Sequence, residues 1–157
     1  MRPVFASLFT ILALCLPAAA QTQSPVRVTD AWVRATVPAQ QATGAFMKLE
    51  SAENLQLVGA RSPVAGVAEI HSMQIKGEVM EMRPVSSVPL PAGIVTELKP
   101  GGLHIMLMQL KAPVTVGQKV PLTLILENAA HARQEMTVEA EVRPLNASRY
   151  APPGISP

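Results

Sequence analysis

The sequence has few aromatic residues and no clear excess of either charge. Its 157 residues include three Phe, one Trp and one Tyr, so the stacking platforms on which proteins bind bases or sugars are scarce. The 13 Lys and Arg nearly balance the 11 Asp and Glu and are scattered, which leaves no basic patch. We therefore expect no nucleic-acid partner.

Cysteine is also nearly absent, and the one cysteine, Cys15, lies in an N-terminal targeting segment. Arg2, the apolar run Val4 to Leu16 and Ala18-Ala19-Ala20 form the charged, apolar and small-residue regions of a secretory signal peptide. The apolar run is too short to be a membrane anchor. Cys15 raises the alternative of a lipoprotein, but it lies inside the apolar run rather than after it. We therefore predict a cleavable signal peptide over residues 1–20 and a periplasmic protein.

The mature chain, beginning at Gln21, would contain no cysteine. It could form no disulfide and use no thiolate chemistry. Its length suits one domain, which we place at residues 21–145. From residue 146 to 157 the sequence has Pro, Gly and Ser without a hydrophobic pattern, so we predict a disordered C-terminal tail.

The hydrophobic pattern predicts an all-β fold. The 15 prolines disfavour long helices, and short alternating segments recur between turn residues. The predicted strands are Val26–Thr36 (with a kink near Thr29-Asp30), Thr43–Glu50, Leu55–Ser62, Val67–Met73, Val79–Pro84, Leu103–Met108, Val120–Glu127 and Gln134–Arg143, with proline-interrupted extended structure over Val88–Leu98. About eight short strands predict a β-sandwich or Greek-key barrel, in which Trp32 and Met47 are packing residues.

The segment Leu103–Met108 carries unusual side chains on its second face. Alternation places Leu103, Ile105 and Leu107 on one face and His104, Met106 and Met108 on the other. Imidazole and thioether groups are the ligands of a soft ion, Cu(I) above all. Taken alone, the segment also fits a packed strand in which methionines fill space.

Two more segments place the same residue types beside a hairpin loop, which we predict over Gln74–Glu78. One ends with His71 and Met73, and the other returns with Met80 and Met82 on one face. Ten residues separate His71 from Met82, 21 separate Met82 from His104, and one separates His104 from Met106.

This spacing, H-x10-M-x21-H-x-M, resembles that of the PCuAC family of periplasmic copper chaperones, as do the surrounding residues Pro100–Met108 and Met82–Val85. The similarity extends over Val26–Arg143. It implies a cupredoxin-like β-fold that holds one Cu(I) through His71, Met82, His104 and Met106. Two features differ from the family pattern. Phe46 occupies a position where Tyr is common, and the second strand ends in Leu49-Glu50-Ser51 where members of the family often have an Asn.

The resemblance also implies delivery of copper to the dinuclear copper centre of cytochrome c oxidase subunit II, alongside Sco-type proteins. We expect no enzymatic activity, because the sequence shows no nucleophile–base set, phosphate loop or paired carboxylates. We also expect a monomer. Two alternatives remain: a periplasmic copper-buffering protein without a delivery partner, and an Ig-like interaction module that binds no metal.

The donor types narrow the kind of site. A blue-copper centre needs a Cys that the mature chain lacks, and no carboxylate lies at the spacing of a zinc ligand. Glu69, two residues before His71, can only support a ligand. Met73, Met80 and Met108 are either further ligands or an apolar collar around the site, with packing favoured, and His131 is predicted to be a solvated loop residue.

Overall fold

The computed structural model describes residues 24–76 and 79–147, which form ten β-strands and no α-helix. The predicted signal peptide (1–20) and residues 148–157 of the predicted tail lie outside these residues. The strands are β1 (Val26–Arg34), β2 (Ala42–Ser51), β3 (Leu55–Arg61), β4 (Ala65–Lys76), β5 (Val79–Pro84), β6 (Val88–Leu90), β7 (Val95–Leu98), β8 (Leu103–Leu110), β9 (Lys119–Asn128) and β10 (Arg133–Arg143). No helix in this part of the chain is long and apolar enough to cross a membrane.

The strands hydrogen-bond in the order β5-β4-β8-β2-β1-β10-β9-β3-β6, and β7 pairs with β2. The β1–β10 pair is parallel, whereas the other pairs are antiparallel. Side chains from both ends of this order share one core, which includes Ile70 of β4, Leu107 of β8 and Leu57 of β3. The sheet therefore folds back on itself, and the predicted all-β sandwich is confirmed.

Two details differ from the sequence prediction. The described part of the chain has ten strands rather than about eight, because the segment predicted as merely extended forms β6, which pairs with β3, and β7, which pairs with β2. The predicted hairpin loop is too long, because β4 continues to Lys76, which pairs with Val79. The register of this strand pair determines which residues of β4 and β5 face each other.

The main core is built from alternating strand residues. In β9, Val120, Leu122, Leu124 and Leu126 are at most 1% exposed, and the residues between them are not buried. Burying a side chain of this size stabilises the fold by about 1.5–3 kcal/mol. Met47 also lies in this core at 1% exposure, so its predicted packing role is confirmed.

Trp32 is buried as predicted, but in a separate cluster with Phe46 and Ala147. The β1–β2 register shifts between Thr29 and Trp32, where Asp30 has φ 52°. This bulge lies at the predicted kink and changes which face the later residues of β1 occupy. Ala147, the last described residue, is 8% exposed in this cluster.

Candidate metal centre

His71 of β4 and His104 of β8 are direct partners across two antiparallel strands. Their ring centroids are 6.0 Å apart, and the rings are inclined at 51°. The neighbouring residues Ile70 and Ile105 belong to the main core. Since successive strand residues point to opposite faces, the two imidazoles lie together on the outer face of this sheet.

Met106 shares this outer face with the two histidines. It follows His104 by two residues on β8, a step of about 6.6–6.8 Å along a strand. Its partners across the neighbouring strands are Glu69 of β4 and Gly44 of β2. The structure thus brings three of the four predicted ligands onto adjoining positions of one sheet face.

Met82 lies on the same face at the edge of the site. It is opposite Met73, whereas His71 is opposite Pro84. Met82 is therefore a diagonal neighbour of His71, a relationship that spans about 7–8 Å between backbones. Its side chain is 43% exposed on β5, which ends the strand order, so Met82 lies at the solvent-exposed edge of the sheet beside His71.

The other methionines surround these positions. Met73 follows His71 by two residues on β4 and is half-buried, Met80 is opposite Ile75 and 66% exposed, and Met108 is opposite Ala42 and Val67. Met73 is the nearest of the three to a histidine by register. Whether these three methionines are further ligands or an apolar collar stays a prediction.

The imidazole of His104 is buried and held in one orientation. It is 4% exposed, and its Nδ1 lies 3.0 Å from the carbonyl oxygen of Gly102. Nδ1–H therefore donates to this carbonyl and leaves the lone pair on Nε2. Burial lowers the pKa of His104, and the charges of His71 and Arg34 lower it further, against an opposing effect of the Gly102 carbonyl. The lowered pKa favours the neutral ring, which is the form of imidazole that binds a metal ion.

His71 has one engaged nitrogen and one without a partner. Its Nε2 lies 3.1 Å from Oε2 of Glu69, so the supporting contact expected for Glu69 is present. Its Nδ1 is buried and has no hydrogen-bond partner. A buried polar atom in this condition is uncommon and costs free energy. A bound cation would give this nitrogen the partner that it lacks.

An aromatic wall that the sequence did not predict stands beside His104. The centroids of Phe46 and His104 are 6.1 Å apart, and those of Trp32 and Phe46 are 4.4 Å apart. The guanidinium carbon of Arg34 lies 5.4 Å from the Phe46 centroid. A glycine within a strand often marks a close approach, so Gly44 was the sequence signal for this wall.

His131 lies in the turn between β9 and β10, whereas His71 and His104 lie on β4 and β8. Its side chain is 86% exposed, and its Nδ1 lies 2.9 Å from Oε1 of Glu127, which confirms the predicted solvated loop residue. Among the described residues, no three His, Cys, Asp or Glu side chains form a metal-sized group.

Comparison with known proteins identifies the family. The profile of the family described as "Putative lipoprotein LpqE-like" matches residues 26–142. A similar protein, "Putative lipoprotein Lxx21020" from Leifsonia xyli subsp. xyli, is 38% identical over 117 residues, which cover 71% of this chain and 70% of that protein.

Solved structures agree with this family. The apo PCuAC domain from PmoF1 superposes with a TM-score of 0.62 at 22% identity, covering 77% of this chain and 95% of that domain, which shows the fold. The Cu(I) form of DR1885 from Deinococcus radiodurans has a TM-score of 0.54 at 34% identity, covering 80% and 83% of the two chains. The predicted cupredoxin-like sandwich is thus confirmed, and the chain belongs to the LpqE-like family, the family of the PCuAC domains.

Proposed function

We propose that this protein is a copper chaperone that carries one Cu(I) on His71, His104, Met106 and Met82. The observation that carries the proposal is the direct pairing of His71 with His104, on the face that also bears Met106. Support also comes from the relatives: DR1885 was solved with Cu(I), and a PCuAC domain from PmoF2 was solved with copper.

The donor set favours this ion over harder ones. Two imidazoles and two thioethers are neutral and soft, and they suit Cu(I) better than Zn²⁺ or Mg²⁺. The described residues offer Glu69 as the carboxylate at the site, and its oxygen is engaged by His71. A preference for one oxidation state suits a carrier and not a redox enzyme.

The position of Met82 suits release of the ion. Its side chain is 43% exposed on the edge strand β5, whereas His104 is 4% exposed. An acceptor can replace the exposed thioether first and the buried imidazole last. Transfer would then proceed by stepwise exchange of ligands, without unfolding of the sandwich.

The acceptor that we propose is the dinuclear copper centre of cytochrome c oxidase subunit II, with a Sco-type protein as an alternative recipient. The protein would act after export to the periplasm, as a monomer. The lipoprotein description of its family favours export and also raises a lipid-anchored form at Cys15. The mass of the mature protein separates cleavage after Ala20 from lipidation at Cys15.

Cu(I) titration against a competing chelator tests the proposed function, with X-ray absorption to count sulfur and nitrogen neighbours. We expect one Cu(I) per chain with both neighbour types, and unchanged binding in a His131→Ala control. An absence of Cu(I) binding would favour the interaction module. Binding without transfer to a purified subunit II domain would favour copper buffering.

A further inference from the structure

Glu69 contacts the proposed ligand His71 but is not itself one of the four proposed copper ligands. It lies two residues before His71 on the same face of β4, opposite Met106. We infer that Glu69 is a positioning residue that makes His71 bind the ion through Nδ1, while His104 binds it through Nε2. This inference rests on the proposed function and adds to it the identity of the two ligating atoms.

The first step concerns His71. A carboxylate only accepts hydrogen bonds, so at the 3.1 Å contact Nε2–H donates to Oε2 of Glu69. A neutral imidazole has one N–H, and the lone pair is then on Nδ1. This Nδ1 is buried without a partner, in a side chain that is 12% exposed.

The second step concerns His104, which is in the opposite tautomer. Its Nδ1–H donates to the Gly102 carbonyl at 3.0 Å, so its lone pair is on Nε2. The two rings are direct neighbours across the strands, with centroids 6.0 Å apart. Bonds from a metal ion to imidazole nitrogen are about 2.0–2.1 Å long in zinc sites, so neighbouring rings with their lone pairs on these two nitrogens could share one ion.

The third step is the effect of the carboxylate on the ligand. A carboxylate that accepts the second N–H of a ligating histidine fixes its tautomer and makes the other nitrogen more basic, and its removal typically costs about 10–100-fold in metal affinity. The Glu69 side chain is 48% exposed, so it can be replaced without opening the main core. Its charge also offsets the charge of a bound cation.

Nitrogen NMR of the histidine rings tests the inference directly. Long-range ¹H–¹⁵N correlation spectra of ¹⁵N-histidine-labelled protein are recorded well above the ordinary histidine pKa of about 6.5, before and after addition of Cu(I). We expect protonated Nε2 in His71 and protonated Nδ1 in His104. Cu(I) should shift Nδ1 of His71 and Nε2 of His104.

Variants at Glu69 complete the test. Glu69→Ala should increase the Nδ1–H tautomer of His71 and weaken Cu(I) binding about 10–100-fold, and Glu69→Gln, whose amide oxygen accepts the same N–H, should restore part of both. Glu139→Ala, at an exposed carboxylate on β10, is the matched control and should change neither. If Cu(I) shifts the Nε2 resonance of His71, or if the His71 tautomer is unchanged in Glu69→Ala, this inference is wrong and the proposed function still stands. Failure of the wild-type protein to bind Cu(I) would overturn the proposed function as well.

Discussion

The ring of Phe46 lies directly over Gly44. A Cβ built on Gly44 would be 2.7 Å from Cζ of Phe46, which is closer than packed carbon atoms approach. Gly44 is also the strand partner of Met106, and Phe46 is the aromatic neighbour of His104. The missing side chain at Gly44 therefore determines where the wall of the site stands.

Gly44→Ala should push the Phe46 ring aside and destabilise the fold by about 1–3 kcal/mol, the usual cost of overpacking. Denaturant unfolding measures this cost. Gly102→Ala is the matched control, because its Cβ would meet nothing nearer than 3.5 Å. The double variant Gly44→Ala/Phe46→Leu should recover part of the loss, and a Gly44→Ala protein as stable as wild type would contradict the close contact.

Removing any proposed ligand should weaken Cu(I) binding at least tenfold, or about 1.4 kcal/mol. The variants are His71→Ala, Met82→Ala, His104→Ala and Met106→Ala, measured by chelator competition with circular dichroism as the check on folding. Met80→Ala is the control, since Met80 is 66% exposed. In Met82→Ala the sulfur count by X-ray absorption should fall by one. An unchanged count would identify Met73, which is opposite Met82, as the second sulfur ligand.

The apoprotein should lose stability as the pH falls below about 6.5. The pKa of His104 is lowered in the folded protein, chiefly by burial, whereas the unfolded chain has the ordinary value of about 6.5. Below that pH the unfolded state binds more protons, so the free energy of unfolding decreases. Denaturant unfolding of wild type and His104→Gln between pH 5 and 8 checks this, and the two curves should converge at low pH. Parallel curves would show that His104 contributes nothing to the pH dependence.

Arg34→Met should raise the pKa of His104 and tighten Cu(I) binding. The charge of Arg34 lowers this pKa and should also repel a bound cation, while a methionine retains apolar contact with the Phe46 ring. The expected gain is less than about tenfold, or 1.4 kcal/mol, because Arg34 is only partly buried and solvent screens part of its charge. NMR titration of His104 and chelator competition measure the two effects. Arg27→Met, which removes an exposed ion pair with Glu50, is the control, and weaker Cu(I) binding in Arg34→Met would contradict the expected repulsion.

Much of the fold could be predicted from local pattern. The alternation of β9 and the kink at Asp30 were readable because each depends on residues close in sequence. The resemblance of the His and Met spacing to that of the PCuAC family also predicted that His71 and His104 belong to one site. Strand order was not readable, because β8 lies between β4 and β2 through long-range pairing.

The contacts at the site that the sequence did not predict depend on strand register. Nothing local shows that His71 is opposite His104, or that Met82 is opposite Met73 and only diagonal to His71. The contact of Arg34 with Phe46 likewise depends on how β1 pairs with β2 beyond the bulge. One residue of slippage in any of these pairs would move the side chains to the other face.

The parallel pairing of β1 with β10 has a consequence for folding. In this pair, residues 32–34 of β1 lie opposite residues 141–143 of β10. The sheet therefore closes only when β10 has formed and paired with β1. Contacts this distant in sequence make folding slow. A chain that lacks β10 would leave β1 and β9 without the strand that lies between them, so it could not complete the sandwich.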